Sequence, residues 1–296
     1  MDKFPSRERS LAATLEPRVS AIVVAQKLRA HTSHQAPLDL CLRSALAEPW
    51  IDDVVIVDQD NEAELSSALR AFQADRRDVR LVTAPKQMSA AAAANLGAAN
   101  ARGRWLLFLA PDVVLQRGAV ERLAAAAREA KTPCVLGGRL TDLEGRDRPA
   151  ARAGALNAFS AIAVAMNWQG ARKRKRGSSQ PRAVGAVSGN FMLIARADFE
   201  NLGAFDERFA TDGADLDLCR RAADAGGSVL FLPAASGVQF DSSSEGRRRA
   251  QGLALFAEKS AKTGPEKAFA AVARPALATL LALKDFVAGR PPQRRR

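Results

Sequence analysis

The stretch from Leu202 to Arg221, LGAFDERFATDGADLDLCRR, decides how the rest of the chain is read. A small-residue lead into Phe205 runs through the charged turn Asp206-Glu207-Arg208 to a second aromatic, Phe209. Asp212, Asp215 and Asp217 then stand where a helix carrying Leu218, Cys219 and Arg221 is predicted to begin. Unsatisfied N–H groups and aligned peptide dipoles make the first turn of a helix electropositive, which favours carboxylates as anions. Asp215 is therefore a candidate proton acceptor.

Upstream, apolar β-branched runs alternate with helical segments. Val19 to Ala25 (VSAIVVA) and Asp53 to Asp58 (DVVIVD) fit strands buried on both faces, as in a parallel sheet. Between them a helix around Leu38 to Leu46 is expected to end before Pro49. A helix from Glu62 to Ala74 and a strand from Val79 to Thr83 complete a β-α-β-α-β pattern, the mark of a doubly wound half. The order continues with a helix from Met88 to Arg102, a strand from Trp105 to Ala110, a helix from Arg117 to Lys131 and a strand from Cys134 to Leu140. Order weakens from Thr141 to Pro181, and residues 168–182 read as a flexible loop. Strands are predicted over Ala183 to Ala195 and Ser228 to Leu232, and helix over 250–288. The expected organisation is a mobile arm at 1–17, an α/β domain with a mixed, mostly parallel sheet over 18–245, and a helical extension with a basic tail over 246–296.

Bulk composition narrows the function classes. The chain has 296 residues, 47% of them hydrophobic, enough for a large core. Lys and Arg number 44 against 32 Asp and Glu, a formal charge of +12 that favours anionic partners. The excess is concentrated at the N-terminus, at Arg172-Lys173-Arg174-Lys175-Arg176, at Arg247-Arg248-Arg249 and at the final three arginines. Cys41, Cys134 and Cys219 are far apart and suggest neither a disulfide framework nor a zinc site, but small buried hydrophobes. No apolar stretch resembles a secretory leader or reaches spanning length, so a cytoplasmic setting is the default expectation.

Four stretches, in order, resemble the inverting family-2 glycosyltransferases with the GT-A fold. They are the opening βαβ ending in Asp58, ANLGAANARGRWLLFLAPDV at 94–113, SGNFMLIARADFENLGAFDERF at 188–209 followed by DLDLCRR, and LFLPAASGVQFDSSS at 230–244. The members most similar to this pattern include rhamnosyltransferase-like enzymes of polysaccharide assembly. The resemblance implies a GT-A-like nucleotide-diphospho-sugar transferase that moves a sugar to a hydroxyl acceptor with inversion. It makes Asp215 the catalytic base. Gln26, Asp58, Asp60, Asn95, Gly97, Asp112, Gly189 and Asn190 become candidates for the nucleotide sugar, Asp217, Arg247 and Arg248 for acceptor or diphosphate. Asp112 and Gln239 become candidates for Mg²⁺ or Mn²⁺, hard cations that favour oxygen ligands and bridge phosphates.

Each residue also has a plainer reading. Asp58 and Asp112 are equally suited to turns at strand ends, Asn95 and Gly97 to a helix irregularity, and Asp215 to a helix N-cap. The chain departs from the family pattern at several places: Ala25-Gln26-Lys27 follows the first strand, Ala94 replaces an Arg, Ala110 an Asp or Asn, Ala214 a Glu, and Gln239 a His. An amide is a poorer ligand than imidazole, and basic side chains such as Arg247 to Arg249 could stand in for a cation against a diphosphate. A catalytically degenerate scaffold that binds a partner glycosyltransferase or a membrane is therefore the alternative.

The expected partners are a nucleotide sugar and a lipid-linked or glycan acceptor, with an anionic membrane surface for the basic run at 172–176 or the apolar C-terminal helix. Nucleic acid is not expected, because no aromatics interleave with the basic run to stack on bases. His31 and His34 lie in a polar loop and receive no role.

Overall fold

The computed structural model describes residues 19–28, 35–74, 76–148, 151–152, 156–166, 179–210, 212–240 and 246–287. The side chains of 35, 151–152, 246–248 and 284–287 are outside that description, as are the expected arm at 1–17, His31, His34, the basic run at 172–176 and the tail after 287.

The two apolar runs that open the chain become β1 (Val19–Gln26) and β2 (Ile51–Gln59), joined by α1 (Gln35–Leu46). Next come α2 (Ala63–Ala74), β3 (Val79–Thr83), α3 (Ala90–Asn100) and β4 (Trp105–Leu109). β1 pairs in parallel with both β2 and β4, and β2 with β3. The side chains of β1, β2 and β4 are mostly buried because helices cover both faces, which is why these strands carry near-continuous apolar runs rather than alternating. Gly97 permits one of these coverings. A Cβ there would stand 2.5 Å from Ile22 Cγ2 and 3.0 Å from Val57 Cγ2, so its absence lets α3 lie close on β1 and β2.

The second half reverses direction. Short β5 (Val113–Leu115) and α4 (Ala119–Arg128) lead to β6 (Cys134–Thr141), then β7 (Ala151–Arg152) and α5 (Ser160–Ala165). β8 (Arg182–Ala183), β9 (Ala186–Val187) and β10 (Phe191–Ala195) divide what the sequence reads as one strand region, and a short α6 (Arg196–Asn201) follows. After α7 (Ala214–Asp224), β11 runs through Ser228–Gln239, well past the predicted Leu232. Pro233 masks that continuation in the sequence because it has no N–H for a ladder. The strand accommodates it with a register shift between Leu232 and Ser236. The nine-stranded sheet has the order β3-β2-β1-β4-β10-β6-β11-β5, with β8 on β11. β10 is antiparallel to β4 and β6, and β5 and β8 to β11, so the sheet is mixed, with the other six strands parallel to one another.

The C-terminal helical region is two helices, α8 (Gly246–Ser260) and α9 (Gly264–Val287). Glu266 accepts from the N–H groups of Lys262 and Thr263 and caps the second helix. Leu253, Phe256, Leu277 and Leu281 are buried in the same hydrophobic core as the sheet. Among the described residues no helix is long and apolar enough to cross a membrane.

Candidate active site

The carboxyl ends of β1, β2 and β4 open on one edge of the sheet, and the sequence candidates gather there. Asp58 is buried at the end of β2, and its Oδ1 accepts from Asn61 Nδ2 at 2.7 Å. Asn61 also donates to Ala25 O and accepts from Leu28 N, so one amide ties the ends of β1 and β2 to this carboxylate. Beside it, Gln26 donates to Met88 O at 3.5 Å. Asp60 is exposed in the turn after β2, with a left-handed φ of 52°.

β4 ends at Leu109, and Ala110-Pro111-Asp112 turns the chain into β5. Ala110 N donates to Asn190 O at 3.0 Å, which brings the Ser188-Gly189-Asn190 turn against this one. Gly189 N then donates to Asp215 Oδ2 at 2.9 Å. Asp215 is half-buried in the first turn of α7, and its second oxygen accepts from Leu216 N at 2.9 Å. A side chain on Gly189 would meet Asp215 Cβ at 3.4 Å, so the turn and the carboxylate are in contact. Asp112, Asn190, Gly189 and Asp215 thus form one connected rim. It joins two loops and a helix that are far apart in sequence.

Gln239 closes the rim from the end of β11. Its amide nitrogen lies 3.3 Å from both Asp112 oxygens, and Phe240 N donates to Asp112 O at 2.9 Å. The two residues expected to share a cation do meet. However, Gln239 turns an N–H donor toward the carboxylate, and an N–H donor is no metal ligand. In this arrangement Gln239 orients the Asp112 carboxylate. Among the described residues no three His, Cys, Asp or Glu side chains gather as a metal site. Asp112 offers carboxylate oxygens, the donor type that suits Mg²⁺, which is commonly held by one or two carboxylates and substrate phosphates.

Three other candidate residues are engaged in contacts within the protein. Asp217, expected at acceptor or diphosphate, is fully buried. It pairs with Arg221 at 2.8 Å and Lys259 at 2.8 Å, which ties α7 to α8. Arg221 goes on to bind Leu202 O and, at 2.7 Å, Ala204 O, which holds the turn of the opening motif. Gly97 faces β1 and β2, as described above. Asn95 accepts from Phe205 N at 3.0 Å and donates to Phe205 O at 2.9 Å. Its amide is committed to positioning the same turn. Arg247 and Arg248 begin α8, but their side chains lie outside the described residues.

Sequence reasoning missed how firmly α8 supports the site. Lys259 bridges Asp217 to Asp206 Oδ2 at 2.7 Å. The guanidinium of Arg208, hydrogen-bonded to Asp206, and the Lys259 ammonium outweigh partial burial and hold the Asp206 carboxyl well below the usual carboxylate range. Gly252 touches the loop before Asp215 so closely that a Cβ would stand 1.9 Å from Asp212 O. No local pattern in the sequence marks Gly252 or Lys259. Their partners are set only when α8 docks. All three cysteines are buried as expected, and burial pushes the Cys134 and Cys219 thiols up to about 12. A hollow of about 330 Å³ lies between Arg208, α8 and Arg274, and no residue of the Asp58–Asp112–Asp215 rim lines it.

A mostly parallel sheet with acidic residues at its strand ends, and a carboxylate presented by the helix after an aromatic turn, defines a GT-A-type fold. The solved structures similar to it are glycosyltransferases. They include a Pyrobaculum calidifontis mannosyltransferase in complex with GDP-Man and Mn²⁺ (TM-score 0.57, 20% identity, covering 95% of this chain and 77% of that one). GalNAc-T7 with UDP, GalNAc and Mn²⁺ is another (TM-score 0.59, 13% identity, covering 94% and 59%). S. aureus TarS 1–349 in complex with UDP-GlcNAc is a third (TM-score 0.54, 11% identity, covering 91% and 73%). The chain belongs to glycosyl transferase family 2, whose model matches residues 30–203. It is also 31% identical over 157 residues to the N-acetylglucosaminyl-diphospho-decaprenol L-rhamnosyltransferase of Mycobacterium tuberculosis, in two strains. That match covers 51% of each protein, so it spans about half the length of these curated relatives.

Proposed function

We propose that the protein transfers a sugar from a nucleotide-diphosphate sugar to a hydroxyl acceptor with inversion, with Asp215 as general base. The observation that carries this reading is the rim itself. Asp215 is held by two backbone N–H groups and linked through Gly189 and Asn190 to the Asp112 turn. In this reading Asp58 accepts the N–H of a uracil or thymine base at the end of β2. Asp112 would hold Mg²⁺ or Mn²⁺ on the donor diphosphate, where the cation supplies charge neutralisation for the leaving group. Asp215 takes the acceptor hydroxyl's proton as that oxygen bonds to the anomeric carbon. The bond from that carbon to the diphosphate oxygen breaks, and the nucleoside diphosphate leaves with the electron pair. Attack from the face opposite the leaving group inverts the centre. General-base catalysis of this kind contributes about 10²–10⁴-fold.

The mycobacterial relative is named for a lipid-diphosphate-linked sugar, and by that analogy the acceptor here is a polyprenyl-diphosphate-linked sugar in the cytoplasmic assembly of a surface polysaccharide. Thermal unfolding in UDP, dTDP or GDP, each with and without Mn²⁺ or Mg²⁺, tests the donor half. A ligand at 100 times its dissociation constant adds about 2.7 kcal/mol of stability. A nucleotide-selective rise supports the reading. No rise with any nucleotide at millimolar concentration overturns it in favour of a non-catalytic scaffold.

A further inference from the structure

Away from the rim, α5 and α9 carry large apolar side chains that the fold leaves outside. Phe159, Ile162 and Met166 follow one another at i, i+3 and i+7, so they share one face of α5 and its ends. Val272 and Leu283 are eleven residues apart, about 20° around a helix of 3.6 residues per turn, so they share a stripe of α9. These five are between 38% and 58% exposed. The two faces adjoin, because the Phe159 and Phe269 rings pack at a tilt with centroids 5.2 Å apart. Phe269 is one helical turn before Val272. The result is a strip rich in exposed apolar side chains across two adjoining helices, and single exposed hydrophobes do not account for it.

The sequence that continues from these helices identifies the occupant. From Met166 the sequence reaches Arg172-Lys173-Arg174-Lys175-Arg176 within six residues, a tether of at most about 20 Å. From Val287 it reaches Arg290 within three residues and then Arg294 to Arg296. A third basic run begins α8, whose Arg249 donates to Val164 O of α5 at 3.1 Å. Both helices that expose the strip therefore continue into clustered cations. Apolar side chains flanked by basic runs complement a surface that offers negative headgroups over hydrocarbon.

We infer that the α5–α9 strip is a docking surface for an anionic lipid bilayer, with Phe159, Ile162, Met166, Val272 and Leu283 entering the headgroup boundary. This inference does not rest on the sugar-transfer reading, since it concerns neither Asp215 nor the donor edge. It adds a defined face to the general basic character of the chain.

Vesicle co-sedimentation of the full chain tests it, with phosphatidylglycerol–phosphatidylcholine vesicles compared with phosphatidylcholine alone. Wild-type protein is expected to sediment with the anionic vesicles only, and high salt is expected to weaken the association. Val272→Glu with Leu283→Glu is expected to lower the partition about tenfold or more, with circular dichroism unchanged. Ile162→Glu, on the other helix, gives the same readout should the α9 variant unfold. No sedimentation, equal sedimentation with both vesicles, or folded variants that sediment like wild type would each overturn the inference. So would a stable dimer in light scattering that the same substitutions dissociate, which would make a second copy the occupant.

Discussion

The backbone N–H of Gly189 donates to the carboxylate of Asp215 at 2.9 Å, across 26 positions of sequence. With Leu216 N on the other oxygen, the carboxylate is fixed in orientation at the mouth of α7. Asp215→Asn is expected to remove sugar transfer by about 10²–10⁴-fold. An amide has a single acceptor oxygen, so one of the two N–H groups loses its partner, at about 1 kcal/mol. Turnover with a nucleotide-sugar donor, measured beside urea unfolding, separates the two effects. A folded variant with undiminished turnover would remove Asp215 from the mechanism.

Asp217 should behave in the opposite way. It is fully buried against Arg221 and Lys259, so Asp217→Ala leaves both cations without their shared anion. Breaking a buried pair from one side costs roughly 3–5 kcal/mol. The expected outcome is a large fall in the urea midpoint of unfolding. A variant with wild-type stability would show that Asp217 is available for another task.

The Asp206 carboxyl sets an acid limit on the same network. Its folded-state pKa is depressed, first by the Arg208 hydrogen bond and then by Lys259, against some opposing burial. A depressed folded pKa gives stability that is present above the unfolded value, about 3.9, and lost as pH falls toward the folded value. Stability of the wild type is expected to decline from about pH 4 downward, and Asp206→Asn to flatten part of that decline. Unfolding free energies across this range, wild type against variant, check the sign.

Two glycines are expected to fail for packing reasons. A Cβ on Gly97 would press on Ile22 and Val57, and one on Gly252 on the backbone of Asp212. Gly97→Ala is expected to cost about 1–3 kcal/mol, an overpacking penalty. Gly252→Ala meets backbone, which cannot rotate away, and is expected to move the 212–215 loop and lower turnover as well as stability. Thermal melts with and without nucleotide distinguish the sites: Gly97→Ala should keep its nucleotide response, because the residue faces the sheet.

Local sequence carries the α/β class, the parallel opening half, the strand ends bearing Asp58 and Asp112, and a helix beginning among Asp212, Asp215 and Asp217. Each rests on local information: apolar runs long enough for a strand, a polar turn at its end, carboxylates before a helix. Tertiary structure decided which of the acidic and small residues face the open edge. Asp215 and Asp217 are two apart on one helix, about 200° around it, so one meets the rim and the other the core. Gly97 turned out to serve the contact of α3 with β1 and β2, and Asn95 the Phe205 turn, because their neighbours come from distant strands and loops. The roles of Lys259 and Gly252 were illegible for the same reason. A charge or a glycine on a helix has no local signature of its partner, and theirs exist only after α8 docks against α7 and the loop that carries Asp212.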